Sequence, residues 1–164
     1  MPPVMEPILP PLVQHLVDEA ATLALGARLA EVVGPGMSIH LSGDLGAGKT
    51  TLARGLLRGL GYGGKVKSPT YSLVELYNLS RLHLYHFDFF RLEDPNAWRN
   101  SGFREHFNDA SLCLVEWPER AGDLLPAPDL RIALAIRDGG RDARIDACTA
   151  RGRRCLSALA VAPG

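Results

Sequence analysis

The sequence has little that would mark it as secreted, membrane-bound or a general binder of nucleic acids. Lysine plus arginine and aspartate plus glutamate number 18 each, so the formal net charge is zero. A neutral chain has no overall electrostatic attraction for nucleic acids or anionic membranes. The first 20 residues contain five prolines and three acidic residues, which suits neither a signal peptide nor a membrane span. We therefore expect a cytoplasmic protein.

Cysteine is scarce and follows no metal-binding or disulfide pattern. Cys113, Cys148 and Cys155 are odd in number and widely spaced, and no C-x-x-C pair occurs. A disulfide framework needs cysteines in pairs, and a structural zinc site needs them at short spacing. We therefore expect three reduced thiols.

The length limits the architecture to one unit. At 164 residues and 17.8 kDa the chain can bury its own core but is too short for two ordinary domains, and no internal repeat is evident. We expect a single domain over residues 1–164. Within it, residues 1–15 read as a proline-rich N-terminal extension and residues 149–164 as a weakly patterned C-terminal tail.

The first half of the chain alternates between helical and strand patterns. Apolar spacing predicts a helix over residues 18–33, which Gly34-Pro35-Gly36 ends. The run "MSIHLSG" predicts a short buried strand, and "TTLARGLLRGLG" from Thr50 predicts a second helix. The runs "YSLVELYNL" and "RLHLYHFDFF" then predict a β-hairpin.

The second half continues the alternation. Asp94 as an N-cap and Pro95 at the first helical position predict a short helix. The apolar run "SLCLVEW" has strand length, and "LRIALAI" and "RDARIDAC" predict a second hairpin around residues 138–140. Helices and strands in this order predict an α/β fold.

One stretch, "GDLGAGKTT", satisfies the phosphate-loop pattern G-x-x-x-x-G-K-[ST]. It lies between a predicted strand and a predicted helix, which disfavours the alternative of a glycine-rich turn with an exposed lysine. Phosphate oxygens need donors that converge from one side, and the amides of such a loop and of the helix N-terminus supply them. Lys49 would reach the terminal phosphates, and the Thr50 hydroxyl would ligate magnesium. The predicted nucleotide-binding residues are Gly43, Asp44, Leu45, Gly46, Ala47, Gly48, Lys49, Thr50 and Thr51.

Hydrolysis needs a carboxylate for magnesium and a group that orients the attacking water. Glu116 closes "LCLVE", whose apolarity predicts a central strand parallel to the loop strand, so we assign Glu116 to magnesium, directly or through water. Asp88 closes "RLHLYHFD" and would polarise water or support the metal shell. The alternative is that either acid merely caps a turn. Lys49, Asp88 and Glu116 are the predicted catalytic residues.

The stretch "KSPTYS" places hydroxyl-bearing residues around a proline that restricts the backbone. In GTPases and related folds a threonine in such a loop senses the γ-phosphate and magnesium. Ser68, Pro69, Thr70 and Tyr71 therefore form a candidate switch-like loop, although the segment taken alone is better explained as an ordinary polar turn.

Two histidines and two tryptophans are not predicted to hold a metal or a cofactor. His83 and His86 lie three apart on a strand, so they point to opposite faces and do not share a metal. Trp98 and Trp117 are expected to pack in the fold rather than to contact a cofactor.

Four stretches occur together in one order: "GDLGAGKTT", "SPTY", "HFD" with Arg91 close behind, and "LVEWP". They resemble the TsaE (formerly YjeE) family of small bacterial P-loop ATPases of tRNA threonylcarbamoyladenosine biosynthesis, over about residues 18–145. The resemblance implies a P-loop NTPase-like three-layer α/β sandwich with a mixed, partly antiparallel sheet. It also implies ATP and Mg²⁺ as cofactors, with Thr50 and Glu116 on magnesium, Asp88 in hydrolysis and "KSPTY" as the switch-like loop.

The resemblance further implies two protein partners, TsaB and TsaD, which together transfer a threonylcarbamoyl group to the adenosine beside the anticodon. A member of this family would bind the pair in an ATP-dependent way, and hydrolysis would support repeated turnover. tRNA would be met only through the complex, in keeping with the neutral net charge. Phe90 departs from the family pattern, which has tyrosine there, so a hydroxyl is lost while ring packing is expected to persist.

Two other functions stay open at this point. A small-molecule kinase also joins a phosphate loop to an α/β domain, but it usually needs an arginine-bearing lid, and Arg91 and Arg99 form no evident cluster. A non-hydrolysing nucleotide switch would differ from an ATPase mainly in its rate of ATP hydrolysis. GTP is disfavoured because no N-K-x-D tetrapeptide occurs. Candidate adenine contacts are residues 18–22 and the hairpin around Arg141.

Overall fold

A mixed β-sheet organises the part of the chain that this computed structural model describes, namely residues 9–66, 69, 73–100 and 102–161. The sheet has seven strands within those ranges: β1 (Leu12–Leu16), β2 (Ser38–Ser42), β3 (Val74–Asn78), β4 (His83–Asp88), β5 (Ser111–Glu116), β6 (Leu130–Arg137) and β7 (Gly140–Ala147). The helices are α1 (Glu19–Val32), α2 (Lys49–Gly59), α3 (Pro95–Asn100) and α4 (Ala150–Ala160), with 3₁₀ turns at Phe103–His106 and Pro118–Leu124.

The strand order is β1-β7-β6-β2-β5-β4-β3. The four inner strands β6, β2, β5 and β4 are parallel, whereas β3, β7 and β1 pair antiparallel at the two sides. Both predicted hairpins are confirmed, as β3–β4 and β6–β7. The prediction of a mixed, partly antiparallel α/β sheet is therefore correct, and the strand carrying the phosphate loop, β2, lies at its centre.

Two apolar layers cover the sheet, one on each face. On one face α1, α2 and α4 pack leucines such as Leu29, Leu56 and Leu156 against the strands. On the other face α3 and the 3₁₀ turns form a smaller cluster around Phe87 and Trp98. All residues of β5 are buried, because its side chains alternate between the two layers. The predicted three-layer sandwich is thus confirmed.

Helices α1 and α2 approach so closely that glycine is required at their contact. A Cβ atom on Gly26 would lie 2.6 Å from the Leu52 carbonyl oxygen and 2.6 Å from the Leu56 amide nitrogen. Because these are backbone atoms, they cannot move aside as a flexible side chain would. The contact sets the position of α2, whose first turn follows the phosphate loop.

We expect Gly26→Ala to lower the free energy of unfolding by about 1–3 kcal/mol, because the new methyl group forces the two helices apart. Urea denaturation monitored by circular dichroism measures the change. The matched control is Gly63→Ala, since a Cβ atom at that exposed site meets nothing within 4 Å. Equal stability of both variants would show that the helices adjust without cost.

Parts of both terminal segments form regular structure that the sequence analysis did not predict. The end of the expected N-terminal extension forms β1, which pairs with β7, and the expected tail contains α4. The Thr149 side chain caps α4 by accepting a hydrogen bond from the Gly152 amide at 3.0 Å. The apolar residues that α4 buries, Cys155, Leu156 and Leu159, have helical spacing, a signal that the sequence analysis missed. None of the helices in the described ranges is long and apolar enough to cross a membrane.

Candidate functional site

The stretch from Gly43 to Thr51 connects the carboxyl end of β2 to the first turn of α2, the strand-loop-helix context that the sequence predicted. Gly46 and Gly48 have φ values of 80° and 102°, in the left-handed region that favours glycine. A Cβ atom on Gly43 would lie 2.5 Å from the Leu134 carbonyl oxygen, so the loop also lies directly against β6. The curled backbone depends on these three positions.

Lys49 lies at the start of α2 with only 6% of its surface exposed. Its ammonium group donates a hydrogen bond to the Gly43 carbonyl and lies 4.0 Å from the centre of the Trp117 ring. An aromatic face attracts a cation electrostatically. The ammonium group is therefore held between the start of the loop and an indole ring, at the head of the cleft described below.

The two predicted carboxylates lie at the same edge of the sheet as the loop. In the strand register Glu116 of β5 is opposite Leu41 of β2 on one side and opposite Asp88 of β4 on the other. Because these strands are parallel, their carboxyl ends meet at one edge. Glu116 is buried, and Asp88 is partly exposed at the cleft.

Glu116 has a partner that the sequence analysis did not assign to it. His86 of β4 is fully buried, and its Nε2 lies 2.5 Å from Glu116 Oε2. Its Nδ1 is buried without a hydrogen-bond partner among the described residues. The signal available in the sequence was the period of two on β4, which places His86 on the same face as Asp88. His83 instead lies at the surface beside Asn78, so the two histidines are separated as predicted.

Burial raises the pKa of the Asp88 carboxyl above its ordinary value, and the charge of Glu116 adds to this effect. The Phe90 amide, which donates to Asp88 Oδ1 at 3.0 Å, acts in the opposite direction, as do the charges of His86 and Lys49. A carboxylate that is partly desolvated in this way accepts a proton more readily than an exposed one. Asp88 is therefore a candidate general base.

A cleft of about 430 Å³ runs along this edge of the sheet. It is lined by eight of the predicted residues: Leu45, Gly46, Gly48, Lys49, Thr50, Thr51, Asp88 and Glu116. Gly43, Asp44 and Ala47 belong to the loop but do not line the cleft. Of the switch-like loop, Ser68, Thr70 and Tyr71 lie outside the described residues, and Pro69 is buried.

The two segments proposed for adenine also line the cleft. Asp18, Glu19 and Thr22 come from the start of α1 or just before it, and Gly140 and Arg141 from the start of β7. Thr22 and Arg141 lie beside the phosphate loop, because a Cβ atom on Gly48 would lie 3.8 Å from Thr22 Cγ2 and 4.0 Å from Arg141 Cγ. Distant parts of the chain therefore meet the loop in one cleft.

Both tryptophans pack in the fold as expected, and one of them also lines the cleft. Trp98 is buried in the smaller core cluster, and Trp117 packs against that cluster. Trp117 in addition lines the cleft under Lys49, with a left-handed backbone at φ 54°. Its ring packs against Phe90 at a centroid distance of 5.0 Å, so the expected ring packing of Phe90 is present. The position of Trp117 directly after Glu116 was the signal in the sequence.

The oxygen donors in the cleft suit magnesium better than a transition metal. Within the described residues no group of three or more His, Cys, Asp or Glu side chains could hold a metal ion. Magnesium is usually bound through one or two protein oxygens, with water and phosphate oxygens completing the shell. The Thr50 hydroxyl and the Glu116 and Asp88 carboxylates line the cleft and offer such oxygens.

A glycine-rich loop at the carboxyl edge of a mixed sheet with helices on both faces defines an α/β protein of the P-loop NTPase-like class. The chain matches the family described as threonylcarbamoyl adenosine biosynthesis protein TsaE over residues 16–144. It is 42% identical over 153 residues to the tRNA threonylcarbamoyladenosine biosynthesis protein TsaE of Haemophilus influenzae, which covers 90% of this chain and 97% of that protein. The chain belongs to the TsaE family.

Two similar proteins from Bacillus subtilis agree with this assignment. The protein of the same name is 38% identical over 138 residues, 84% of this chain and 85% of that one. The crystal structure of Bacillus subtilis YdiB superposes with a TM-score of 0.80 at 30% identity, covering 94% of this chain and 97% of that chain. The likeness therefore extends beyond the phosphate loop to the whole sheet.

Proposed function

We propose that this member of the TsaE family serves tRNA threonylcarbamoyladenosine biosynthesis as a magnesium-dependent ATP-binding and ATP-hydrolysing protein that acts with TsaB and TsaD. The observation that carries the proposal is the convergence of the phosphate loop, Lys49 and the carboxylates of Asp88 and Glu116 in one cleft. Family membership supports the pathway, and the chemistry of the cleft supports the reaction.

Each side chain has a distinct part in the proposed reaction. The loop amides and the positive end of α2 bind the phosphates, and Lys49 turns from the Gly43 carbonyl toward the terminal phosphate. Thr50 and Glu116 would hold magnesium, which would neutralise phosphate charge. His86 keeps one Glu116 oxygen in place through its hydrogen bond. Asp88 orients the attacking water and accepts its proton.

Water is the phosphoryl acceptor in this proposal. ATP is preferred over GTP in the proposal because the chain lacks the N-K-x-D tetrapeptide that reads guanine. Contact with tRNA is proposed to occur only through TsaB and TsaD, since the net charge is zero. Hydrolysis would then reset the complex between rounds of modification.

We expect ATP hydrolysis by the purified protein to be slow alone and to increase at least about tenfold when TsaB and TsaD are added, because partner binding would complete the catalytic arrangement. Steady-state phosphate release measures both rates, with and without magnesium. Magnesium–ATP binding without hydrolysis in either condition would instead indicate a nucleotide switch. Release of ADP that depends on a small-molecule acceptor would indicate a kinase.

A further inference from the structure

Arg141 of β7 lines the cleft and contacts the phosphate loop through its guanidinium group. Its Nε donates to the Ala47 carbonyl at 3.0 Å, and its Nη2 donates to the Gly46 carbonyl at 2.8 Å. Its remaining terminal nitrogen, Nη1, donates to the Gly140 carbonyl at 2.8 Å. One guanidinium group therefore joins two consecutive loop carbonyls to the turn between β6 and β7.

A loop that binds phosphate through inward-pointing amides must turn its carbonyls outward, where they need other donors. Two of the loop carbonyls accept from a backbone amide within the loop or α2. The Asp44 carbonyl accepts from the Ala47 amide at 3.0 Å, and the Gly48 carbonyl accepts from the Leu52 amide at 2.9 Å. Gly46 and Ala47 are supplied instead by Arg141, from a strand more than 90 residues along the chain.

The arginine also packs against the tightest part of the loop. A Cβ atom on Gly48, which has a φ of 102°, would lie 4.0 Å from both Cγ and Nε of Arg141. The side chain thus lies along the last residue before α2 as well as donating to the two residues that precede it. Arginine has a planar guanidinium group whose N–H donors lie at fixed spacing, and lysine has no such group.

The Gly43 carbonyl differs from those of Gly46 and Ala47, because its hydrogen-bond donor is the Lys49 side chain. In the proposed function Lys49 leaves this carbonyl when it turns toward a phosphate, so the loop loses one of its own contacts at that moment. Arg141 does not have to move for the phosphates to bind. The hydrogen bonds from Arg141 to the Gly46 and Ala47 carbonyls would then maintain the loop conformation both with and without bound phosphates.

We propose that Arg141 is a positioning residue, which holds the phosphate loop in its anion-binding shape by its two hydrogen bonds to the Gly46 and Ala47 carbonyls. The proposal rests on the proposed nucleotide-binding function. It extends that function, because the conformation of the phosphate loop would depend on the turn between β6 and β7 as well as on the glycines of the loop.

The test uses two variants. Arg141→Met removes both the charge and the guanidinium N–H donors, and Arg141→Lys keeps the charge but not the planar set of donors. Amide hydrogen exchange of Ala47 in the protein without nucleotide should rise about tenfold in both variants, because the turn bond to Asp44 opens more often. Amides within β7, such as that of Ala143, should keep their exchange rates. Affinity for magnesium–ATP and for magnesium–tripolyphosphate should fall about tenfold in parallel.

Arg144→Met is the matched control, since Arg144 lies on the same strand, is exposed and pairs with Asp146. Unchanged Ala47 exchange in Arg141→Met, or full rescue by Arg141→Lys, would overturn the proposal. Loss of ATP affinity with normal tripolyphosphate affinity would also overturn it, because Arg141 would then contact the nucleoside. If the unmodified protein binds neither ligand, the nucleotide-binding function fails, whereas the exchange result still reports on the loop.

Discussion

Replacing Lys49 by alanine should weaken binding of magnesium–ATP by about 10- to 100-fold, the loss expected when a charge-assisted hydrogen bond to a phosphate is removed. The ammonium group is the cation that the structure places at the head of the loop, between the Gly43 carbonyl and the Trp117 ring. No other lysine lines the cleft within the described residues. Isothermal titration calorimetry with a non-hydrolysable ATP analogue measures the change.

The chain offers a matched control for this prediction. Lys65→Ala removes the same charge from an exposed position outside the cleft and should leave the affinity within about threefold of the original. Equal weakening in both variants would point to a general charge effect. An unaltered affinity in Lys49→Ala would show that the loop does not bind the terminal phosphates.

Asp88→Asn should lower the rate of ATP hydrolysis by about 10²- to 10⁴-fold while leaving nucleotide affinity nearly unchanged, because a carboxamide cannot accept a proton from water. The substitution keeps an oxygen that can accept the Phe90 amide hydrogen bond, so the local backbone has no reason to move. Phosphate release and calorimetry together separate the two effects. The control is Asp123→Asn, an exposed acid outside the cleft.

The raised pKa of Asp88 gives this prediction a pH dependence. Only the ionised carboxylate acts as a base, so hydrolysis should rise with pH through the raised pKa and level off above it. Asp88→Asn should lose that rise. Loss of ATP affinity in this variant as severe as in Lys49→Ala would instead make Asp88 a principal metal ligand or a structural residue.

Stability should change in the direction opposite to activity. Because burial raises the pKa of Asp88 in the folded protein, the folded state holds this proton more tightly than the unfolded state. The contribution of Asp88 to stability therefore decreases as pH rises from the unfolded pKa through the folded pKa. Asp88→Asn should accordingly melt at a higher temperature than the original protein at neutral pH. A lower melting temperature would show that the carboxylate has stabilising contacts that an amide cannot replace.

The phosphate loop and the central strand β5 could be predicted because their signals are local. The pattern from Gly43 to Thr51 is contiguous, and a buried parallel strand such as β5 is apolar at nearly every position. Because parallel strands end at one edge of the sheet, the meeting of Glu116 and the loop could be expected. The parallel pairing of β4 with β5, which brings Asp88 to the same edge, is evident only in the structure.

The two terminal elements differ in how much local signal they have. The five residues of β1 follow a proline-rich segment and have too little pattern to specify a strand. Helix α4 does have a local signal that the sequence analysis missed, namely Thr149 as N-cap and Cys155, Leu156 and Leu159 at helical spacing. Strand β1 depends on its pairing with β7, and α4 depends on burial of Cys155, Leu156 and Leu159 against the sheet.

The sequence by itself determined the α/β class, the phosphate loop and the identity of the two carboxylates, because each depends on neighbouring residues or on strand period. Tertiary structure alone decided which groups surround them. His86 contacts Glu116 across 30 residues, and Arg141 contacts Ala47 across 94. Trp117 lies under Lys49 only because β2 and β5 are neighbours. Such contacts depend on strand order and register. Local sequence patterns do not specify these, because the same patterns occur with many different orders and registers.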